Sequence, residues 1–408
     1  MADSLPRPHD TPDLARVQPP RGRAEGHTRP EAEEVKVRVE PGQEVLRVEG
    51  LRVNFHTFGG EVKALDGVDL SLRRGEVLGL VGESGSGKSV TALSIEGLLP
   101  GNAEVVGGRI LLEGRDLLKE KPGQLRSERL TKVAMVFQDP LTYLNPVLTI
   151  GSQILDILET DRRAFTHTVA TARLQELQAA GGARTLTEAE TRERERLQSL
   201  PPDGVLGKRE FKRLARSYVV ATLRSVRLPE PERIFRMYPF ELSGGMRQRT
   251  IIAMALVRKP TLLIADEITT ALDVTVQAQI LELLRELKTE IDASILLITH
   301  DLAVVAEVCD RVAVMYGGNI VEVAEVNELF KDPLHPYTRG LLAAIPRPDA
   351  ARGELTSIKG SVPNLIHPPS GCRFHPRCPQ AFERCPLGKP PPVEAKPGHL
   401  VECFLYGG

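Results

Sequence analysis

Two different rhythms of apolar residues run along this chain. Apolar and polar positions alternate in Val45-Leu-Arg-Val-Glu49, Leu51-Arg-Val-Asn-Phe55 and Val68-Asp-Leu-Ser-Leu72. A period of two predicts strands with one buried face, and Gly59-Gly60 predicts a turn between them. Gly108-Arg-Ile-Leu-Leu-Glu-Gly114 reads as a further strand closed by glycines. Elsewhere the apolar residues come in short unbroken runs: Val77–Val81, Thr261–Ala265, Ser294–Ile298 and Arg311–Tyr316. Such runs suit strands covered on both faces. Helix-like Val90–Leu99 follows the first run, and Val276–Leu287 lies between the second and third. Apolar strands alternating with helices predict a parallel, two-sided sheet.

Between these blocks, residues 153–227 are rich in Arg, Glu, Ala and Leu and predict helices, with breaks at Gly181-Gly182 and Pro201-Pro202-Asp-Gly204. Thr187 followed by Glu190 predicts a capping box. The helix it opens contains Arg192-Glu-Arg-Glu-Arg196, which reads as a solvated face with i,i+4 pairs. Pro6, Pro8, Pro12, Pro19, Pro20, Pro30 and Pro41 stand among charges with no apolar period, so residues 1–42 are expected to be a disordered tail. Beyond about residue 333, proline and glycine predict a small irregular domain.

At 408 residues the chain suits two structured units plus tails. A net charge of −1 and a pI near 6.8 supply no global field for nucleic acid or an anionic membrane, so no nucleic-acid partner is expected. No apolar stretch approaches the ~18 residues that span a bilayer. The N-terminus lacks the apolar core of a secretory signal, which points to a cytoplasmic protein able to dock on a membrane partner.

The chemistry concentrates in a few strings. Gly82, Glu83, Ser84, Gly85, Ser86, Gly87, Lys88 and Ser89 fit the phosphate-loop pattern GxxxxGK[ST], set between an apolar strand and a helix. The glycines allow backbone N–H groups to form an anion nest at a helix N-terminus. Lys88 suits the β- and γ-phosphates, and Ser89 suits Mg²⁺. A second apolar strand delivers Asp266-Glu267; the first carboxylate is assigned to Mg²⁺ and the second to the attacking water. Cys309, alone in a helical pattern, reads as a small core residue. Cys372, Cys378, Cys385 and Cys403 cluster near the C-terminus, where a metal site is favoured over disulfides in a cytosolic chain.

Taken in order, these strings resemble the ATP-binding subunit of an ABC transporter over roughly residues 45–330. Leu242-Ser-Gly-Gly-Met-Arg-Gln-Arg249 is similar to the family signature, and the resemblance implies that Ser243, Gly244 and Gly245 contact the γ-phosphate held by a partner chain's loop. It further implies that Gln138 is the Q-loop residue touching Mg²⁺ and water, and that His300 is the switch histidine. Ala271-Leu-Asp273 is similar to the D-loop that links the two sites, and Phe55 aligns with the aromatic that stacks on adenine, although Phe58 is close by. The implied fold is an α/β P-loop NTPase: a RecA-like core, an antiparallel β subdomain and a helical signature subdomain. Residues 43–332 would form this nucleotide-binding domain, with a helical insertion within about 147–245. Two departures stand out. Ile268 occupies the place where the family usually has proline, which is expected to change the loop without abolishing hydrolysis. The segment between Gln138 and the signature is some tens of residues longer than usual, and no role is assigned to it.

Gln138-Asp-Pro-Leu-Thr-Tyr-Leu-Asn-Pro146, Thr269-Thr-Ala-Leu-Asp-Val-Thr275 and His335-Pro-Tyr-Thr338 resemble the dipeptide/oligopeptide/nickel branch of ABC importers. The branch implies a subunit that hydrolyses ATP to energise peptide import. Its partners would be two permeases, a second and paralogous ATPase and, indirectly, an extracytoplasmic solute-binding protein, at the cytoplasmic face of the membrane. Nickel or another solute is the alternative cargo; a soluble ABC ATPase acting on nucleic acid, or a metal-cluster sensor, is a more distant class. Residues 333–408 are similar to the branch's C-terminal extension. There the four cysteines suit a [4Fe–4S] cluster, and His375 keeps a mixed Cys/His zinc site open.

Overall fold

The computed structural model describes residues 43–119, 129, 131–137, 140–269, 273–290, 293–345 and 358–407. The expected N-terminal tail, 1–42, lies outside them. The alternating segments form β1 (Glu44–Thr57) and β2 (Gly60–Arg73), and the next strands are β3 (Val77–Val81), β4 (Ala103–Leu112), β5 (Arg115–Asp116) and β6 (Val133–Val136). The apolar runs supply β7 (Leu262–Asp266), β8 (Ser294–Thr299) and β9 (Arg311–Tyr316), followed by β10 (Asn319–Glu325), β11 (Val393–Lys396) and β12 (His399–Val401).

Sequence alternation suggested two strands at 45–55; they are one. Register shifts near Gly50, at φ 56°, let a single bulged strand pair with both β2 and β4. These strands form an antiparallel sheet in the order β2-β1-β4-β5. The second sheet runs β11-β12-β10-β9-β3-β8-β7-β6, with β9, β3, β8, β7 and β6 mutually parallel and β10–β12 antiparallel.

The parallel strands are buried on both faces, as continuous apolar runs require. Leu78, Leu80, Ile264, Leu296 and Ile298 pack against the antiparallel sheet through Val45, Val48, Leu51 and Leu70. Val77, Val81, Leu263, Ala265 and Leu297 face the helical core built by Phe165, Val169, Phe211, Leu214 and Val219.

The helical region comprises Ile150–Thr160, Arg162–Ala183, Glu188–Gln198, Lys208–Ser225 and Gly244–Leu256, with a short turn at Pro231–Ile234. No break occurs at Gly181-Gly182: the helix runs through both and ends at Ala183. Asp161 caps its start, and buried Phe165, Val169 and Leu177 outweigh about 1 kcal/mol of propensity lost at each glycine. The Thr187/Glu190 capping box is formed. The charges after it pair between helices as well as along one, with Arg173 and Arg213 both on Glu193 and Arg196 on Glu210.

The described residues after 333 fall in the same compact unit as the core, and β12 extends the main sheet by pairing with β10.

Candidate nucleotide site

Strand β3 ends at Val81 and the helix Lys88–Glu96 begins seven residues later, so Gly82–Gly87 form the connecting loop. Gly82 and Gly87 are obligatory there. Gly87 has φ 109°, and a Cβ on Gly82 would lie 2.1 Å from the Met315 carbonyl oxygen, a backbone atom that cannot swing aside. Ser84, Gly85 and Ser89 are exposed, whereas Ser86 and Lys88 are buried. The Lys88 ammonium folds back on the loop, donating to the carbonyls of Gly82 at 2.8 Å and Glu83 at 3.1 Å. Burial lowers its pKa, opposed by Glu267, Asp266 and Glu83. A buried ammonium held by backbone carbonyls is poised to exchange them for phosphate oxygens.

Asp266, the last residue of β7, is 9 % exposed, and its Oδ1 has no hydrogen-bond partner among the described residues. Burial raises its pKa; the Ser89 hydroxyl, hydrogen-bonded to the carboxylate, opposes this. An unpartnered buried carboxylate oxygen beside a hydroxyl is the donor set a hard divalent cation takes, so the residues present fit Mg²⁺. Glu267 sits at φ 50°, a left-handed conformation that costs a non-glycine residue about 1–2 kcal/mol. Its backbone N–H donates to the Ile298 carbonyl at 2.9 Å, and its Oε1 lies 3.2 Å from His300 Nδ1. Ile268, at the position of the unusual substitution, is 2 % exposed and joins the helical core, which anchors the turn while leaving Glu267 beside His300.

Ser243 caps the helix Gly244–Leu256 by accepting from the Met246 amide at 3.3 Å, and both Ser243 and Gly244 are exposed. Gly245 lies where a Cβ would come 2.9 Å from Val276 Cγ1, so only glycine lets the signature turn approach the helix Val274–Glu290. Asp273 caps that helix through Val276 N at 3.0 Å. Gln138, Ala271 and Leu272 lie outside the described residues. Phe55 is half-buried against the smaller core, while Phe58 at the hairpin tip is fully exposed.

The structure therefore gathers Lys88, Ser89, Asp266, Glu267 and His300 in one place and leaves Ser243-Gly244 on the surface. It also shows contacts that no sequence motif announced. Arg377 grips the Glu83 carboxylate, and the Tyr337 hydroxyl accepts from the Glu83 amide at 2.8 Å.

Cys372, Cys378, Cys385 and Cys403 are free thiols that share one neighbourhood: Cys403, Cys385 and Cys378 help raise the pKa of Cys372, and Cys385 helps raise those of Cys378 and Cys403. Burial is the main cause at Cys372, Cys378 and Cys403, and holds Cys372 up at about 11. Even so, among the described residues no group of three or more His, Cys, Asp or Glu side chains is disposed to hold a metal ion. The expected [4Fe–4S] or zinc site is not formed by this geometry. Cys309 is buried, with its thiol pushed up to about 12, as a core residue should be.

The family described as ABC transporter matches residues 65–270, and the oligopeptide/dipeptide transporter C-terminal region matches residues 321–385. The dipeptide transport ATP-binding protein DppD of Bacillus subtilis is 43% identical over 89% of this chain and 95% of its own length. The oligopeptide transport ATP-binding protein OppD of Salmonella typhimurium is 43% identical over 90% of this chain and 95% of its own. Among solved structures, the dimeric bacterial ABC transporter cassette MJ0796 shares the fold at TM-score 0.52 and 23% identity, covering 69% of this chain and 98% of that one. The phosphate loop, the Asp266-Glu267 strand end and the exposed signature turn thus lie on a cassette fold, in a chain alike to these relatives along most of its length. This chain belongs to the ABC transporter family, as an ATP-hydrolysing, ATP-binding subunit of the oligopeptide/dipeptide type.

Proposed function

We propose that this ATPase energises import of dipeptides and oligopeptides through a membrane-embedded partner. The observation that carries the reading is the pairing of an ATP site with a C-terminal region of the oligopeptide/dipeptide kind. The names of the relatives point to peptides and not to nickel. No described helix is long and apolar enough to cross a membrane, so passage of the solute falls to other chains. Those are two permeases, fed by an extracytoplasmic solute-binding protein, with this chain seated peripherally on their cytoplasmic face.

Each residue has a task in that reading. Phosphate-loop amides and Lys88 bind the triphosphate, while Ser89, Asp266 and Gln138 would hold Mg²⁺, which would supply positive charge to offset that developing on the phosphoryl oxygens. Glu267 orients and deprotonates water, and His300 steadies Glu267 through their contact. Phe55 stacks on adenine. Ser243, Gly244 and Gly245 need a partner's nucleotide, which makes a second ATPase subunit, a paralogue, part of the working unit; Asp273 joins the two sites. Residues 43–332 serve as the nucleotide-binding domain and 333–408 as its extension. The test is co-purification from solubilised membranes followed by reconstitution. Recovery of two permeases and ATP-driven uptake of a peptide supplied with the binding protein supports the reading; a complex without permeases refutes it.

The four cysteines support a second, narrower reading as ligands of an iron–sulfur cluster. Four free thiols share one neighbourhood, and in it burial and the neighbouring thiols disfavour ionisation of Cys372, Cys378 and Cys403; a cationic centre would relieve this at the cost of a small rearrangement. An anaerobic visible spectrum with iron and zinc analysis tests it: iron with the charge-transfer bands of a cluster supports it, zinc favours the mixed site with His375, and neither metal refutes both.

A further inference from the structure

A phosphate loop that carries its own carboxylate works against itself, because Glu83 brings a negative charge into the loop that is to hold a triphosphate. The structure shows what becomes of that charge. Arg377 Nη1 donates to Glu83 Oε2 at 2.6 Å and Nη2 to Oε1 at 3.0 Å, a two-pronged pair in which the arginine side chain is 6% exposed. The fork is itself held, since Nε donates to the Lys359 carbonyl at 3.1 Å and the guanidinium lies 5.7 Å over the Tyr316 ring. The rest of Glu83 is fixed as well. Its N–H donates to Tyr337 and its carbonyl accepts from Lys88. Tyr337, Tyr316 and Phe374 pack as three rings with centroids 4.7 to 5.3 Å apart.

We propose that Arg377 is a positioning residue for ATP binding: it neutralises Glu83 and draws it out of the phosphate loop, with Tyr337 fixing the same peptide. Because Arg377 lies between Cys372 and Cys378, the cysteine-bearing segment supplies the counter-charge that the loop lacks. The inference rests on the reading of Gly82–Ser89 as the ATP site.

Charge shielding and simple bracing make opposite predictions for a double substitution. Binding of a fluorescent ATP analogue to the full chain, at low salt with EDTA, separates them. Arg377→Gln, which exposes the phosphates to an uncompensated carboxylate, weakens binding about tenfold. Adding Glu83→Gln to it restores affinity to within about threefold of wild type, since the offending charge is gone. A double variant as weak as Arg377→Gln alone overturns the proposal, as does an Arg377→Gln variant that binds normally. If Arg377→Gln does not fold, Arg377→Lys decides. Shielding keeps its affinity within about threefold of wild type because the positive charge remains, whereas bracing by the two-pronged fork predicts the tenfold loss. Lys88→Ala is the control for the underlying reading: if it binds the analogue normally, the ATP site lies elsewhere, an outcome distinct from any behaviour of Arg377.

Discussion

His335 offers a sharp test of how the C-terminal segment is held. It is 1% exposed, and its Nδ1 accepts from the Tyr337 amide at 3.0 Å, capping the helix Pro336–Ala343. Burial lowers its pKa to about 4; Glu322 opposes this and Arg339 adds to it. An imidazolium could neither sit in that site nor accept the amide. The sign follows: above about pH 6.5 the ring is neutral folded or unfolded, and stability is at its full value. As pH falls below 6.5 the unfolded chain takes a proton that the folded chain refuses, so stability declines until pH reaches about 4. At 1.36 kcal/mol per pH unit the whole loss is about 3 kcal/mol, of which about 2 kcal/mol has gone by pH 5. Asparagine can cap in the same way without titrating. His335→Asn should therefore lose about 2 kcal/mol less than wild type between pH 7.5 and 5. Glu96 and Glu402, both raised by burial to about 7, act in the opposite sense but equally in both proteins. The chain has no tryptophan, so urea unfolding is followed by far-ultraviolet circular dichroism. Parallel stability–pH curves for the two proteins would refute the argument.

Three further outcomes are expected. Glu267→Gln should reduce turnover by about 10²–10⁴-fold while leaving ATP binding intact, read by phosphate release and equilibrium binding. Gly82→Ala places a methyl 2.1 Å from the Met315 carbonyl oxygen and must displace the loop, so ATP affinity should fall about tenfold or more. Thr187→Ala removes a cap worth about 1 kcal/mol; it should speed hydrogen exchange in Glu188–Gln198 and leave ATP turnover unchanged.

Where one local rule decided the outcome, the sequence could be read directly. Apolar runs became β3, β7, β8 and β9 because strands covered on both sides leave no polar choice. Gly82–Ser89 and Asp266-Glu267 declared themselves because loop geometry and strand ends fix which residues can serve. Gly181-Gly182 misled because packing of distant residues settles whether a helix tolerates glycine. The Arg377–Glu83 pair joins positions 294 residues apart, a separation no periodic pattern reports. β11 and β12 were equally hidden: His399 is a strand residue because its ring meets Glu322 at 2.7 Å, not because its neighbours look strand-like.

The late entry of β12 into the main sheet also bears on how the protein is made. Its partner, β10, is synthesised some seventy-five residues earlier and must wait with one edge unpaired while proline-rich chain emerges. Folding of this edge therefore follows synthesis of the last strand, and cannot keep pace with translation. A ribosome stalled near residue 390, or a protease cutting after Pro333, leaves β10 with an open ladder of amides and carbonyls. Such truncated chains would aggregate through that edge, giving the cell's quality control a feature by which to tell unfinished subunits from finished ones.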